Sequence, residues 1–202
     1  MIGVLDYGMG NLSSVTNALE YLGIENIIIK NEEAFENVSH LIIPGVGSFG
    51  KAMENIITRN FIGPIHSFDQ KGLPILGICL GMQLLAEFGT EPIECSGLGM
   101  IGGRVELLPN ECIRVPHVGW NGVKVVNDHP ILDNVKRSAD FYFVHSYRFL
   151  TSKQQNVVAE TDYGVDFPTV VSNDRRNVVG IQFHPEKSQK QGLQILTNFS
   201  NL

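Results

Sequence analysis

The stretch Pro74-Ile75-Leu76-Gly77-Ile78-Cys79-Leu80-Gly81-Met82-Gln83 constrains the fold more than any other part of the chain. An apolar strand runs directly into Gly-x-Cys-x-Gly, and helix-forming residues follow. Small residues on both flanks allow the sharp strand-to-helix turn of a nucleophile elbow, with Cys in the place of Ser. Similar apolar runs, unbroken rather than alternating, occur at Ile2–Leu5, Ile27–Ile29 and Leu41–Ile43, and together with Ile75–Ile78 they suit buried parallel strands. Helical stretches lie between them. Asn11–Leu22 puts Val15, Ala18, Leu19 and Leu22 on one face with Gly23 as a stop, and Lys51–Ile57 and Met82–Phe88 read as further helices. The alternation predicts an α/β domain with helices on both faces of a sheet.

The second half is β-rich. Arg104–Leu107, Asn121–Val126, Phe141–Phe149, Val157–Glu160, Thr169–Val171 and Val178–Phe183 read as antiparallel or mixed strands added to the same sheet, closed by a helix over Leu193–Phe199. No Ser/Gly-rich linker or internal repeat interrupts the 202 residues, so 1–202 is expected to be one domain. A formal charge of −6 argues against a nucleic-acid partner, which calls for a basic face. Cys79, Cys95 and Cys112 are odd in number and widely spaced, so neither a disulfide framework nor a metal site is expected. No apolar run is long enough to span a bilayer, and MIGVLDYG has no signal-peptide character. The expectation is a soluble cytoplasmic protein in a reducing compartment, with no membrane partner.

Two glycine patterns imitate a dinucleotide fingerprint. Gly97, Gly99 and Gly102 lead into a strand-like run and lack the strand–helix context. Gly45, Gly47 and Gly50 do lie between a strand and a helix, but after the third strand rather than the first, with Asp69 in a helical stretch. A nucleotide role is not expected at either, although the second loop can bring backbone N–H groups close to a ligand.

The elbow gives Cys79 two chemical advantages. A helix N-terminus favours the thiolate, the reactive form, and the N–H of Leu80, just after it, is positioned to stabilise an oxyanion. A thiol nucleophile also needs an oriented base. His184-Pro185-Glu186 supplies one at the end of the strand Val178–Phe183, since residues two apart in an extended segment share a side. His40, His66 and His129 sit in polar contexts and read as solvated. His117 lies in a turn-like segment. His145 shares a strand face with Phe143 and Tyr147, as a core-edge residue or as part of a substrate wall.

Taken together, Pro44-Gly45-Val46-Gly47, Gly77-Ile78-Cys79-Leu80-Gly81-Met82-Gln83 and His184-Pro185-Glu186 resemble the class I (triad) glutamine amidotransferases over essentially the whole chain. The resemblance implies a flavodoxin-like, three-layer domain with a mixed, mainly parallel central sheet, and no cofactor. It implies that Cys79 attacks the side-chain amide of L-glutamine, with His184 moving the proton to departing ammonia and Glu186 holding His184. The N–H groups of Leu80 and Val46 would form the oxyanion hole, and Gly47, Gln83, His145, Ser146 and Tyr147 would line the glutamine pocket. Asp6-Tyr7-Gly8, Pro116-His117-Val118-Gly119-Trp120-Asn121 and Pro185-Glu186-Lys187-Ser188 are similar to members that pass ammonia to a (β/α)8-barrel cyclase subunit in histidine biosynthesis. By the same resemblance Asn11, Trp120, Tyr142 and Lys187 would face that partner.

Three alternatives differ in what they require. A paralogue feeding ammonia to a sugar-modifying partner for surface glycans would carry the same motifs. A Cys-His hydrolase on a similar elbow would not need Gln83 or His145-Ser146-Tyr147. A silent binding module would not need Cys79, His184 and Glu186 intact.

Overall fold

The apolar runs Ile2–Leu5 (β1), Asn26–Ile29 (β2), His40–Ile43 (β3) and Ile75–Ile78 (β4) pair in parallel. These assignments come from a computed structural model that describes residues 1–109, 111 and 113–202. Helices α1 (Leu12–Tyr21), α2 (Phe49–Thr58), α3 (Ile62–Gln70) and the short α4 (Leu80–Leu84) lie among them. The strands that follow are β5 (Phe88–Gly89), β6 (Cys95–Ser96), β7 (Gly103–Leu107), β8 (His117–Gly122) and β9 (Lys124–Val125). Then come β10 (Asp140–His145), β11 (Tyr147–Thr151), β12 (Val157–Asp162), β13 (Asp166–Ser172), β14 (Val178–Ile181) and helix α5 (Gln189–Phe199).

Among the described residues the main sheet has eight strands in the order β2-β1-β3-β4-β14-β13-β12-β9. Its first five strands are parallel and the rest antiparallel. All residues of β1, β4 and β14 are buried, which explains their unbroken apolar character. One face packs on α2, α3 and α4 through residues such as Ile56, Ile65 and Leu84. The other packs on α1 and α5 through Val15, Leu19, Ile195 and Phe199. This is a flavodoxin-like three-layer α/β fold. The chain leaves β1 for β2 on one side and later adds β3 and β4 on the other, so the ends of β3, β4 and β14 open where such sheets bind ligands.

The β-rich half does not all join that sheet. β5, β6, β7 and β11 form a second, four-stranded sheet, and β8 with β10 forms a two-stranded ribbon. The expected strand Phe141–Phe149 therefore breaks at Ser146, whose carbonyl accepts from Leu108 N at 2.8 Å. The expected helix Met82–Phe88 begins at Leu80 and ends at Leu84, with Phe88 in β5. The reason is the Gly97–Gly102 loop. Its N–H groups at Leu98, Gly99, Met100 and Ile101 bond the carbonyls of Leu84, Ala86 and Leu85, where the helix would have continued. That glycine pattern thus caps a helix.

His129, expected to be solvated, is buried. Its Nδ1 accepts from Ile131 N at 3.1 Å and its Nε2 meets Ser172 Oγ at 3.3 Å, closing the 3-10 turn Pro130–Leu132. Burial, reinforced by Arg176, pushes its pKa down to about 4. His40 is half-buried against the Phe199 ring, 5.4 Å between centroids. Cys95 is half-buried and free, and Cys112, expected to be a packing residue, lies outside the described residues. Among those residues no helix is long and apolar enough to cross a membrane.

Candidate active site

Cys79 stands between β4 and α4 with φ 55° and ψ −109°, a conformation that residues other than glycine seldom adopt. The turn is tight enough to require both flanking glycines. A Cβ on Gly81 would strike the carbonyl of Ile43, and one on Gly77 would strike the carbonyl of Gly81. Cys79 N is tied to Ile181 O on β14 at 2.8 Å, so the elbow is braced by the neighbouring strand. Leu80 opens α4, and its N–H belongs to the first turn, which has no intrahelical acceptor.

β14 carries His184 to the same place. His184 is extended (φ −97°, ψ 99°), the bias expected before Pro185. Its N–H donates to Tyr142 O at 2.9 Å, and Ser188 Oγ donates to its carbonyl at 2.6 Å. Glu186 lies in the 3-10 turn Pro185–Lys187, so it reaches back to the ring through a turn rather than along a strand. Nδ1 meets Glu186 Oε1 at 2.8 Å, with both side chains buried. Burial alone would lower the pKa of His184, but the Cys79 sulfur and the Glu186 carboxylate outweigh it and raise it to about 10. Nε2 has no hydrogen-bond partner among the described residues.

A cavity of about 260 Å³ opens over Cys79. Val46, Gly47, Leu80, Gln83, His145, Ser146 and Tyr147 line it with the cysteine, so the residues expected at the nucleophile and pocket are gathered there. A groove of about 970 Å³ along β9 is larger, but it lacks a nucleophile and is lined by mixed charges. Gln83 is buried, and its Nε2 donates to Tyr147 O and to Gln182 Oε1, both at 3.2 Å. His145 contributes no free imidazole nitrogen, because Nε2 meets His117 Nδ1 at 3.0 Å and Nδ1 meets Tyr147 O at 2.8 Å. Tyr7, wholly buried, donates from its hydroxyl to Pro44 O at 2.6 Å and so fixes the start of the Pro44–Gly47 loop.

Three residues of the site escaped the sequence reading. Glu91 adds a carboxylate to the cavity wall, held by Phe49 N at 3.1 Å and with its pKa raised by burial. His117 orients His145. Gln182, fully buried, donates from Nε2 to Cys79 Sγ at 3.7 Å.

Trp120, Tyr142 and Lys187 form one surface cluster. Trp120 is 48% exposed, its ring centroid lies 6.0 Å from that of Tyr142, and Lys187 Nζ is 5.8 Å above the Tyr142 ring. Asn11 caps α1 on Ser14 N at 3.3 Å and borders a small cavity beside His184 and Glu186. Among the described residues no group of three or more His, Cys, Asp or Glu side chains is arranged to hold a metal ion. A thiol at an elbow beside a carboxylate-bound imidazole, with Val46 and Leu80 in the cavity wall, suits nucleophilic acyl transfer.

The sequence pattern of the family described as glutamine amidotransferase class-I matches residues 3–201. The chain is 46% identical over 204 residues to the imidazole glycerol phosphate synthase subunit HisH of Geobacillus thermodenitrificans, covering 98% of this chain and 94% of the relative. It is 45% identical over 197 residues to the protein of the same name from Aquifex aeolicus, covering 97% and 94%. Among solved structures, PurLQS from Thermotoga maritima has the same fold, with a TM-score of 0.78 at 20% identity over 99% of this chain and 97% of that one.

Proposed function

This chain belongs to the class I glutamine amidotransferases, and on that premise we propose that it is the glutaminase subunit of an imidazole glycerol phosphate synthase, supplying ammonia for histidine biosynthesis. Residues 1–202 act as one catalytic domain. L-Glutamine enters the cavity over Cys79, where Glu91 is suited to its α-ammonium group. Gln83 and the backbone of Gly47, Ser146 and Tyr147 hold the rest of the substrate, with the engaged His145 ring as a fixed wall. Cys79 sulfur attacks the side-chain carbonyl carbon, and the oxyanion meets the N–H groups of Leu80 and Val46. His184 gives its Nε2 proton to the departing nitrogen, leaving a γ-glutamyl thioester. Water then attacks the thioester, His184 takes its proton, and glutamate leaves. Glu186 keeps Nδ1 protonated so that Nε2 is the nitrogen that exchanges protons.

The partner in this reading is a (β/α)8-barrel cyclase subunit in a heterodimer, facing Asn11, Trp120, Tyr142 and Lys187. The site of action is the cytoplasm, where a thiolate nucleophile stays reduced. The observation that carries the reading is the buried His184–Glu186 pair at 2.8 Å beside a cysteine elbow in a cavity of amino-acid size. The test is complementation of a histidine auxotroph that lacks its glutaminase subunit, together with glutamate release by the purified chain mixed with the cyclase. Growth and cyclase-dependent glutamate release are expected. Failure of both overturns the proposal.

A further inference from the structure

Gln182 is wholly buried, and the orientation of its amide is dictated by its neighbours. Tyr147 O can only accept, so the group that Gln83 turns toward it is its NH2. The same NH2 reaches Gln182 at 3.2 Å, where it requires an acceptor, so that atom is Oε1. The other end of Gln182 must then be Nε2, and it points at Cys79 Sγ, 3.7 Å away. The sulfur thus receives a donor from a chain of two amides anchored on a backbone carbonyl. The sulfur also meets the Val144 carbonyl at 3.9 Å, which can take the thiol proton but offers nothing to a thiolate. Gln182 and His184 lie two residues apart on the continuation of β14, so one strand end presents both groups to the sulfur.

A neutral thiol or thioester sulfur is a weak acceptor, and hydrogen bonds to an ionised acceptor are about twice as strong as neutral ones. The buried donor therefore gains most when the sulfur is negative. We propose that Gln182 is a further catalytic residue, an amide donor to Cys79 Sγ that stabilises negative charge on sulfur before attack and again as the thiolate departs. The proposal rests on the reading of Cys79 as nucleophile. In the first half-reaction the thiolate pair forms the S–C bond, the C–N bond breaks and ammonia leaves with a proton from His184. In the second, water oxygen bonds to the carbonyl carbon and His184 takes a water proton. The C–S bond then breaks with its electron pair returning to Sγ, where the Gln182 N–H receives it.

The test compares the wild-type chain in complex with its cyclase against Gln182→Met, which matches the chain length without a donor, and Gln182→Glu, which keeps the shape but presents oxygen. Glutaminase kinetics and the pH dependence of Cys79 alkylation by iodoacetamide are measured, the latter by peptide mass spectrometry, with melting temperatures as a check on folding. In both variants kcat should fall about 10- to 100-fold with KM within about threefold. The alkylation midpoint should rise by about one pH unit, a tenfold loss of thiolate at fixed pH. The thioester should accumulate in quenched samples. An unmoved alkylation midpoint in either folded variant overturns the proposal, even if kcat falls, because a packing role would leave the sulfur's ionisation alone. If Cys79 of the active wild-type complex proves dispensable for glutamine hydrolysis, the nucleophile reading itself fails, and the proposal falls with it.

Discussion

His117 Nδ1 lies 3.0 Å from His145 Nε2, and the surroundings allow that contact only one direction. His145 Nδ1 meets the Tyr147 carbonyl at 2.8 Å and must carry its proton there, which makes Nε2 an acceptor. His117 Nδ1 is therefore the donor, and its own Nε2 accepts from the Asn121 amide at 3.5 Å. A proton added to either ring would oppose two N–H groups. Burial already pushes His117 down to about 4 and His145 down to about 3. The neutral pair fixes the Tyr147 carbonyl that also receives Gln83.

Removing the far end of that relay should loosen the pocket while leaving the nucleophile intact. In His117→Ala the KM for glutamine is expected to rise about tenfold, equivalent to ~1.4 kcal/mol, with a smaller change in kcat. Steady-state kinetics of the complex checks this, and an unchanged KM would show that His117 only fills space.

Acid stability follows from the same burial. His117, His129 and His145 all have folded pKa values below the ordinary 6.5. The unfolded chain therefore binds more protons, and their contribution, complete above pH 6.5, is lost as pH falls toward 4 and 3. Urea denaturation should show declining stability from pH 7 to pH 5. His129→Gln should flatten that decline, and an identical slope would contradict the assignment.

His184 has the opposite sign. With its pKa raised to about 10, its contribution to stability is whole below pH 6.5 and fades as pH rises through 10. NMR of ring-labelled histidine should find this imidazole still protonated at pH 8. A midpoint below 7 would mean that Cys79 and Glu186 do not hold the charge.

Cys79→Ala should abolish glutamine hydrolysis yet spare synthesis from added ammonium salts when the cyclase is present. His184→Ala should be almost as damaging, because nucleophile and base act as a unit. Glu186→Gln should be milder, since the imidazole still accepts a proton but is less well oriented. A Glu186→Gln variant slower than His184→Ala would reverse the assigned roles.

The isolated chain is expected to turn over glutamine poorly and to be activated by its partner. The Val46 N–H belongs to the Gly45–Val46 peptide, and Gly45, having no Cβ, leaves that peptide freer to turn its N–H toward the oxyanion. Trp120→Ala should weaken cyclase binding by ~2 kcal/mol or more without changing the melting temperature. Calorimetric titration with the cyclase measures this, and unchanged affinity would remove Trp120 from the interface.

Much of this was legible in the sequence, for reasons that differ by region. β1 to β4 could be read because parallel strands buried on both faces leave unbroken apolar runs. The elbow could be read because its geometry demands Gly77 and Gly81. The division of the later strands among three sheets could not be read, since β7, β10 and β12 look alike locally and pair with segments far away in sequence. Gln182 and His117 stayed hidden for a related reason. A polar residue inside an apolar strand shows its purpose only when the group it bonds is known.

The β8–β10 ribbon pairs Trp120 with Tyr142 and Val118 with Val144 toward the outside, while His117, Phe143 and His145 point inward. Because side chains alternate along each strand, losing one residue from either would exchange the two sets. The histidines would turn to water and Trp120 would turn into the cavity wall. Insertions should therefore be tolerated at the exposed residues 136–138 of the connection but not within the ribbon, whose length keeps the outward set and the cavity-side set on their own faces.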